Sequence, residues 1–252
     1  MNIDAPRQED IPALRRLWQQ AFGDTDAFLN RFFAYGFAPE RCRCLWQEGQ
    51  LGAALYWFDC SCQNEKIAYL YAVATEKCLR GKGLCRALME DTHRHLQRLG
   101  YAGSLLVPGS PELFSLYEKL GYETCSFVRE FTCEAGAVPV PLRQVTAQEY
   151  AQIRHSLLPP NAVVQEGTAL ALLAAQGALY AGENCLLAAL PGEQGLEVQE
   201  LLGSPDLAPG ILAALGQKTG RFRTPGDGKP FALYRSIRPE GPVPGWFGLA
   251  LD

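Results

Sequence analysis

The chain has 252 residues, of which 48% are hydrophobic and 20% charged, with Lys+Arg 23 against Asp+Glu 27. This length and composition support one large domain or two small ones with real cores, and they exclude an intrinsically disordered chain. The formal net charge of −4 argues against nucleic acid as a bulk electrostatic partner. No apolar run approaches the roughly 20 residues that cross a bilayer, and the acidic N-terminus lacks the apolar core of a signal peptide. We therefore expect a cytoplasmic protein without a membrane partner.

Nine cysteines are expected to be reduced thiols, since no secretory signal accompanies them. Two C-x-C pairs, Cys42/Cys44 and Cys60/Cys62, have the residue type of metal ligands. Structural zinc sites favour C-x₂₋₄-C spacing, and a hairpin about Gly49 places Cys44 opposite residue 54 and Cys60 opposite residue 38. The four thiols then do not converge, and we predict no metal site.

Apolar periodicity predicts a mixed α/β order in the first half of the chain. Two helices, from Asp10 to Phe22 and from Asp26 to Phe33, precede two hairpin strands over 41–47 and 51–58. The mostly apolar run from Ile67 to Thr75 is typical of a central strand buried on both faces. A long helix from Gly83 to Leu99 follows, with Gly100 closing it, and then a strand over 104–107, a helix over 112–120 and a strand over 122–132.

The composition changes near residue 135, after which 12 of the 17 prolines occur. The stretch 136–141 resembles a linker, and Thr146 with Glu149 forms a predicted capping box. Strands over 178–190 and 196–202, a helix over 208–220 and a final strand over 247–252 complete this half. Because Pro108–Tyr117 and Pro225–Tyr234 share the pattern P-G-x₄-F-(S/A)-L-Y, we predict a duplicated domain, with units 1–135 and 136–252.

The segment that follows the central strand predicts an anion-binding turn. Arg80-Gly81-Lys82-Gly83 opens the long helix, where free N–H groups and the helix dipole favour a phosphate or pyrophosphate. The spacing matches neither a P-loop nor a G-x-G-x-x-G dinucleotide fingerprint. A glycine-rich turn without any ligand is the alternative that these residues leave open.

Two separated motifs resemble those of the GNAT acetyltransferase superfamily. The signature [Q/R]-x-x-G-x-[G/A] falls on Arg80–Cys85, and the family's L-Y-x-x-x-G-F/Y segment on Leu116–Tyr122. Two positions depart from the family pattern: Cys85 stands where Gly or Ala is usual, and Ser110 where many members have Asn. The sequence around the long helix is similar to that of acetyltransferases of the enhanced-intracellular-survival type, which carry a second, motif-poor GNAT-like domain.

The resemblance implies a GNAT fold, a mixed and mostly antiparallel sheet flanked by helices, followed by a smaller degenerate GNAT-like α+β domain. It implies acetyl-CoA as co-substrate, with the pantetheine arm on the central strand and the pyrophosphate on the turn after it. The implied cofactor-binding residues are Val73, Ala74, Thr75, Arg80, Gly81, Lys82, Gly83, Leu84, Cys85 and Ser110. Tyr117 is the implied general acid that protonates the departing thiolate.

The general base is open: Glu76 is the best carboxylate by position, Asp59 the next, and water chains can replace both. The branch resemblance also implies a C-terminal carboxylate at the site, here Asp252. His93 and His95 are expected on a solvated helix face.

The implied function is transfer of an acetyl group to a primary amine of a small-molecule acceptor. An inactive acyl-CoA sensor is the alternative, and the oligomeric state is open. Aminoglycosides, polyamines, amino acids and protein amines all remain as acceptors, because acceptor pockets are built outside the motifs. The second half lacks a basic glycine turn and is expected to bind no cofactor.

Overall fold

The computed structural model describes residues 1–251, and thirteen strands of this part form one mixed sheet. The strands are β1 (Asn2–Asp4), β2 (Cys42–Gln47), β3 (Gln50–Cys62), β4 (Glu65–Thr75), β5 (Gly103–Leu106), β6 (Glu123–Glu134), β7 (Arg143–Gln144), β8 (Val164–Gln165), β9 (Ala178–Ala181), β10 (Cys185–Gly192), β11 (Gly195–Gly203), β12 (Thr219–Pro225) and β13 (Lys229–Ser236). The α-helices are α1 (Ile11–Phe22), α2 (Asp26–Arg31), α3 (Leu84–Arg98), α4 (Glu112–Glu118), α5 (Ala147–Leu157), α6 (Thr168–Gln176) and α7 (Ala208–Ala214).

The sheet order shows that the two halves of the chain exchange strands. Neighbouring strands follow the order β1-β2-β3-β4-β5-β13-β6-β12-β11-β10-β9-β7, with β8 paired to β3. Strand β13 from the second half therefore lies between β5 and β6 of the first half. Strand β6 in turn bridges β13 and β12. The predicted units 1–135 and 136–252 thus contribute to one continuous sheet.

Three apolar clusters form the core on the two faces of this sheet. One cluster joins both halves beneath α1, α2, α5 and α6. On the opposite face, a second cluster packs under α3 and α4 and a third under α7. Alternation along β4 shows the division, because Tyr69 belongs to the first cluster and Leu70 to the second. We call these the α1–α2 face and the α3–α4 face below.

Features that depend on a few adjacent residues, such as helix ends and a hairpin, agree with the sequence predictions. Gly100 has φ +80 directly after α3, and the Thr146–Glu149 capping box forms at the start of α5. The hairpin register places Cys44 opposite Ala54, as predicted. Other elements differ in extent: the strand predicted over 51–58 continues to Cys62, the predicted strand over 178–190 is two strands, β9 and β10, and the helix predicted to end at residue 220 ends at Ala214.

Two further sequence predictions are wrong. The shared P-G-x₄-F-(S/A)-L-Y pattern does not mark equivalent structure, because its first copy leads into helix α4 and its second into strand β13. Residues 247–251 form no strand; this tail instead crosses the core, and the carbonyl of Phe247 accepts a 2.6 Å hydrogen bond from the Ser126 hydroxyl. Because the tail is buried, core packing and side-chain hydrogen bonds hold it in position, and strand pairing does not.

His93 is buried rather than solvated, which corrects the expectation for its helix face. Its Nε2 lies 3.1 Å from the Ser104 hydroxyl and 2.9 Å from the Tyr122 hydroxyl. Burial, and then the charge of Arg235, lower the pKa of His93 to about 3, so the ring is neutral at physiological pH. This network joins α3 to β5 and to Tyr122, the residue before β6.

Within residues 1–251, no helix is long and apolar enough to cross a membrane. Over the same residues, no group of three or more His, Cys, Asp or Glu side chains is placed to hold a metal ion. The four cysteines of the C-x-C pairs are buried in the cluster under α1 and α2.

Candidate active site

A gap opens in the sheet where strands β4 and β5 part. Their parallel pairing covers only Ile67–Tyr69 against Gly103–Leu105, yet β4 continues to Thr75. A bulge in β4 lies beyond the paired region, and Ala72 there has φ +49, which is rare for a residue with a side chain. The end of β4 therefore turns away from β5 and leaves an opening through the sheet.

Backbone groups of β4 face this gap. The Glu76 N–H donates to the Gly52 carbonyl on the β3 side at 2.8 Å. Because successive residues of a strand direct their N–H and C=O groups to opposite neighbours, those of Ala74 face β3 as well. Those of Val73 and Thr75 consequently face the side where β5 has departed.

The turn before α3 is a backbone cradle at a helix start. Gly81 and Gly83 have φ +77 and +81, and no atom lies within 4 Å of where a Cβ would stand on either. The first hydrogen bond of the helix runs from the Ala87 N–H to the Gly83 carbonyl at 3.0 Å. The amides of Leu84, Cys85 and Arg86 are therefore left without an intrahelical partner. This open turn has the donors, the space and the dipole that a pyrophosphate requires.

The side chains of the turn divide between the protein and solvent. The Arg80 Nε donates to the Thr75 carbonyl at 3.2 Å, which ties the turn to the end of β4, and Lys82 is exposed. Leu84 is buried in the cluster under α3, and Cys85 packs against that cluster. Burial raises the pKa of the Cys85 thiol, so it remains protonated and acts in packing.

A cavity of about 250 Å³ occupies the gap between β4 and β5. It is lined by Trp18, Phe22, Asp24, Phe28, Tyr69, Leu70, Tyr71, Ala72, Val73, Leu106, Val107, Gly109, Leu113, Tyr117 and Leu251. The lining combines both faces of the sheet, since Trp18 belongs to the α1–α2 face and Tyr117 to the α3–α4 face. The opening thus connects the two faces at the strand gap.

Tyr117 reaches this cavity from helix α4. Its side chain is buried, and within residues 1–251 its hydroxyl makes no hydrogen bond. Burial, and then the nearby Cys85 thiol, raise the pKa of Tyr117 above its ordinary value. The phenol is therefore held protonated and can donate a proton or a hydrogen bond to a group in the cavity.

The other predicted site residues lie elsewhere. Glu76 does not line the cavity; its Oε1 accepts hydrogen bonds from Gln20 at 2.6 Å and from the Lys77 amide at 3.0 Å. Asp59 pairs with Arg41 at 3.1 Å, away from the gap. Asp252 lies outside the described residues.

Ser110 lines a second cavity, of about 490 Å³, which also borders Val107 and Gly109. That cavity contains an ion-pair cluster centred on Glu130, which lies 2.6 Å from Arg221, 3.3 Å from Arg223 and 2.7 Å from Lys229. Burial alone raises the pKa of Glu130, but the hydrogen bonds and charges of these cations bring it down to about 2.

Asp24 lines the cavity between β4 and β5 but is not among the site residues predicted from the sequence. It stands in the short connection after α1, where Gly23 has φ +76 and ends the helix. The Trp18 Nε1 donates to its Oδ2 at 2.7 Å, and the pair lines the cavity together. The local pattern of Gly and Asp after an amphipathic helix is typical of any helix end, so it does not indicate the distant strand residues, from Tyr69 onward, that complete the cavity.

A family comparison decides what this arrangement is. The model of the acetyltransferase (GNAT) domain matches residues 2–125, which include the strand gap, the glycine turn and Tyr117. Residues 2–125 belong to the GNAT family. No curated protein sequence matched the chain.

Solved structures share the fold beyond the matched GNAT domain. A GCN5-related N-acetyltransferase from Kribbella flavida is 16% identical with a TM-score of 0.70, and the match covers 94% of this chain and 72% of that one. Eis1 from Mycobacterium abscessus is 11% identical with a TM-score of 0.68, over 94% and 74% of the two chains. A GCN5-related N-acetyltransferase from Sphaerobacter thermophilus is 13% identical with a TM-score of 0.55, over 98% of both. The exchanged arrangement therefore belongs to an α/β fold that these structures share.

Proposed function

We propose that the protein is an acetyl-CoA-dependent N-acetyltransferase that acylates a primary amine of a small molecule. One observation carries the proposal: the buried, protonated Tyr117 and the gap-facing backbone of Val73 line one cavity at the strand gap. The open glycine turn at the start of α3 follows the same strand. A donor hydroxyl, free backbone groups and an anion cradle are together the parts that acyl transfer from a phosphorylated thioester requires.

Acetyl-CoA would supply an activated acetyl thioester to this site. The free amides at the start of α3 would hold its pyrophosphate, with the positive charge of Lys82 at the exposed side of the turn. The backbone of Val73 and Thr75 would bind the extended arm. A gap-facing N–H of β4 would also stabilise negative charge on the carbonyl oxygen of the thioester.

Tyr117 would give its proton to the departing thiolate as the amine attacks. Its raised pKa keeps the phenol protonated, so that a proton is available when negative charge develops on the leaving sulfur. The acceptor nitrogen loses a proton in the same reaction, and water reaching the cavity can accept it. No carboxylate has to perform that step, so Glu76 and Asp59 are not needed at the gap.

The second half is proposed to be a degenerate GNAT-like unit that binds no cofactor. The turn equivalent to Arg80–Cys85, over 202–209, has no basic residue, and Pro205 and Pro209 offer no N–H. The Thr224 hydroxyl also donates to the Leu201 carbonyl at 2.9 Å, which bridges β12 to β11 beyond their paired residues. This bond crosses the place where a second gap would open.

The proposal is tested first by thermal melting with acetyl-CoA, CoA or ATP. A ligand at about 100 times its dissociation constant adds about 2.7 kcal/mol to the free energy of unfolding, which appears as a raised melting temperature. We expect the shift with both CoA species and none with ATP. No shift with acetyl-CoA would refute the cofactor site and the enzyme with it.

Turnover is tested by CoA release with a panel of primary amines. Tyr117→Phe removes the hydroxyl and keeps the ring, so we expect the rate to fall by about 100-fold while the acetyl-CoA melting shift remains. Tyr35→Phe is the matched control, since that ring is exposed and lies outside the cavity. Acetyl-CoA binding without release of CoA for any amine would favour the acyl-CoA sensor instead.

A further inference from the structure

The α1–α2 face of the cavity is an aromatic pocket around one carboxylate. The ring of Trp18 lies 5.7 Å from that of Phe22, 6.0 Å from Phe28 and 5.5 Å from Tyr71, measured between centroids. All four rings line the cavity. Among the lining residues that the structure describes, Asp24 is the only one with a charged side chain.

Asp24 is fixed in place but not neutralised by a cation. Its Oδ2 accepts the 2.7 Å hydrogen bond from the Trp18 Nε1, a neutral donor that orients the carboxylate without cancelling its charge. Within residues 1–251, no Lys, Arg or His nitrogen lies within 4 Å of it. The nearby Asp26 differs, because it accepts from Gln19 at 2.8 Å and lies 3.5 Å from Arg15.

The pocket lies across the gap from the parts proposed to hold acetyl-CoA. Tyr117 and the glycine turn belong to helices α4 and α3, on the α3–α4 face, whereas Asp24 and Trp18 lie on the α1–α2 face. A thioester entering from one face therefore meets a molecule bound on the other. The Asp24 pocket is thus positioned for the acceptor and not for the coenzyme.

We propose that Asp24 and the rings of Trp18 and Phe28 bind the acceptor amine as its ammonium ion, which gives one proton to water before its nitrogen attacks, so that the enzyme selects compact organic ammonium compounds with apolar bodies. Aromatic faces attract cations, and the attraction is stronger where water is displaced. The carboxylate supplies a charge-assisted hydrogen bond, and the rings and apolar strand residues enclose the body of the molecule. Acceptors with an acidic group are disfavoured, because a second negative charge would lie beside Asp24. This inference rests on the proposed acetyltransferase function.

The test measures binding to the full-length protein by calorimetry, with 2-phenylethylamine and n-butylamine as cationic probes. Two compounds of the same shape serve as controls, the neutral 2-phenylethanol and the anionic 3-phenylpropanoate. We expect the amines to bind, the alcohol to bind at least about tenfold more weakly and the acid to give no heat.

Asp24→Asn keeps an oxygen acceptor for the Trp18 Nε1 and removes only the charge. We expect it to weaken amine binding at least about tenfold and to leave alcohol binding unchanged. Asp26→Asn removes the same charge two residues away, outside the cavity, and should leave both unchanged. The acetyl-CoA melting shift of each variant reports whether the rest of the site is intact.

Each result bears on one proposal. Failure of both amines to bind up to about 10 mM, equal binding of the alcohol, or an unchanged affinity in Asp24→Asn overturns the ammonium pocket. If acetyl-CoA still raises the melting temperature in that case, the proposed function stands without it. Amine binding that depends on Asp24 in a protein that acetyl-CoA does not stabilise would support the pocket and refute the acetyltransferase.

Discussion

The exchange of β13 into the first half can be tested at Gly103, on β5. A Cβ placed on this residue would collide with the ring of Tyr234 on β13, whose atoms are the three nearest to it. Tyr234 is paired with Leu105, so its ring crosses diagonally over the glycine. Gly103→Ala is therefore harmful only if β13 lies beside β5.

The expected magnitude follows from two opposing effects. Overpacking of a core by one methyl group costs about 1–3 kcal/mol, whereas replacing Gly by Ala within a strand gains about 0.5–1 kcal/mol. With Tyr234 present, Gly103→Ala should lower the free energy of unfolding by about 1–2 kcal/mol. In a Tyr234→Ala background the collision is gone, and the same change should raise the free energy of unfolding by about 0.5 kcal/mol.

Urea unfolding followed by tryptophan fluorescence measures all four proteins of this double-mutant cycle. Gly109→Ala is the matched control: no atom lies within 4 Å of its Cβ position and its φ is not positive, so the change should be nearly neutral. An equal loss from Gly103→Ala in both backgrounds, or no loss in either, would refute the placement of β13 next to β5.

Three further predictions concern the ion pairs and the glycine turn. Glu200→Ala should lower the free energy of unfolding by about 3–5 kcal/mol, because it leaves the bidentate partner Arg154 charged and 1% exposed; a loss below about 1 kcal/mol in urea unfolding would contradict this. Glu130 has a folded-state pKa of about 2 against an ordinary 4.5, so the unfolded state binds its proton first as the pH falls. Its contribution of about 3 kcal/mol is complete above about pH 5 and lost on approaching pH 2, and Glu130→Gln should flatten that part of a plot of unfolding free energy against pH. Gly83→Ala should cost about 1 kcal/mol through its positive φ alone, since its Cβ position is open, and should leave the helix content of the native protein by circular dichroism unchanged.

Features that depend on neighbours in sequence were predictable. The glycine turn, the closing Gly100 and the capping box at Thr146 each obey a rule of backbone conformation that acts over a few residues. The position of Tyr117 on a helix after β5 was also predictable, because Tyr117 is part of the L-Y-x-x-x-G-F/Y motif. These signals were sufficient for the family, and the cofactor side of the site stays a prediction.

Features that depend on distant partners were not predictable from such rules. Asp24 enters the cavity because helix α1 packs across β3 and β4, and His93 is buried because β5 and Tyr122 supply its hydrogen-bond partners. The apolar residues of the tail at 247–251 predict a strand, yet the tail lies in the core without a ladder. Hydrophobicity indicates burial but not the surface against which a residue is buried.

The sequence by itself determined the capping box at the start of α5, the closing Gly100 after α3 and the glycine turn before α3, since those properties arise from adjacent residues. Only the tertiary structure decided that β13 lies between β5 and β6, and that one carboxylate from the α1–α2 connection faces the strand gap. Strand pairing and cavity lining arise from contacts between segments far apart in the chain. Side-chain type is compatible with many such contacts, and packing of the whole chain selects one.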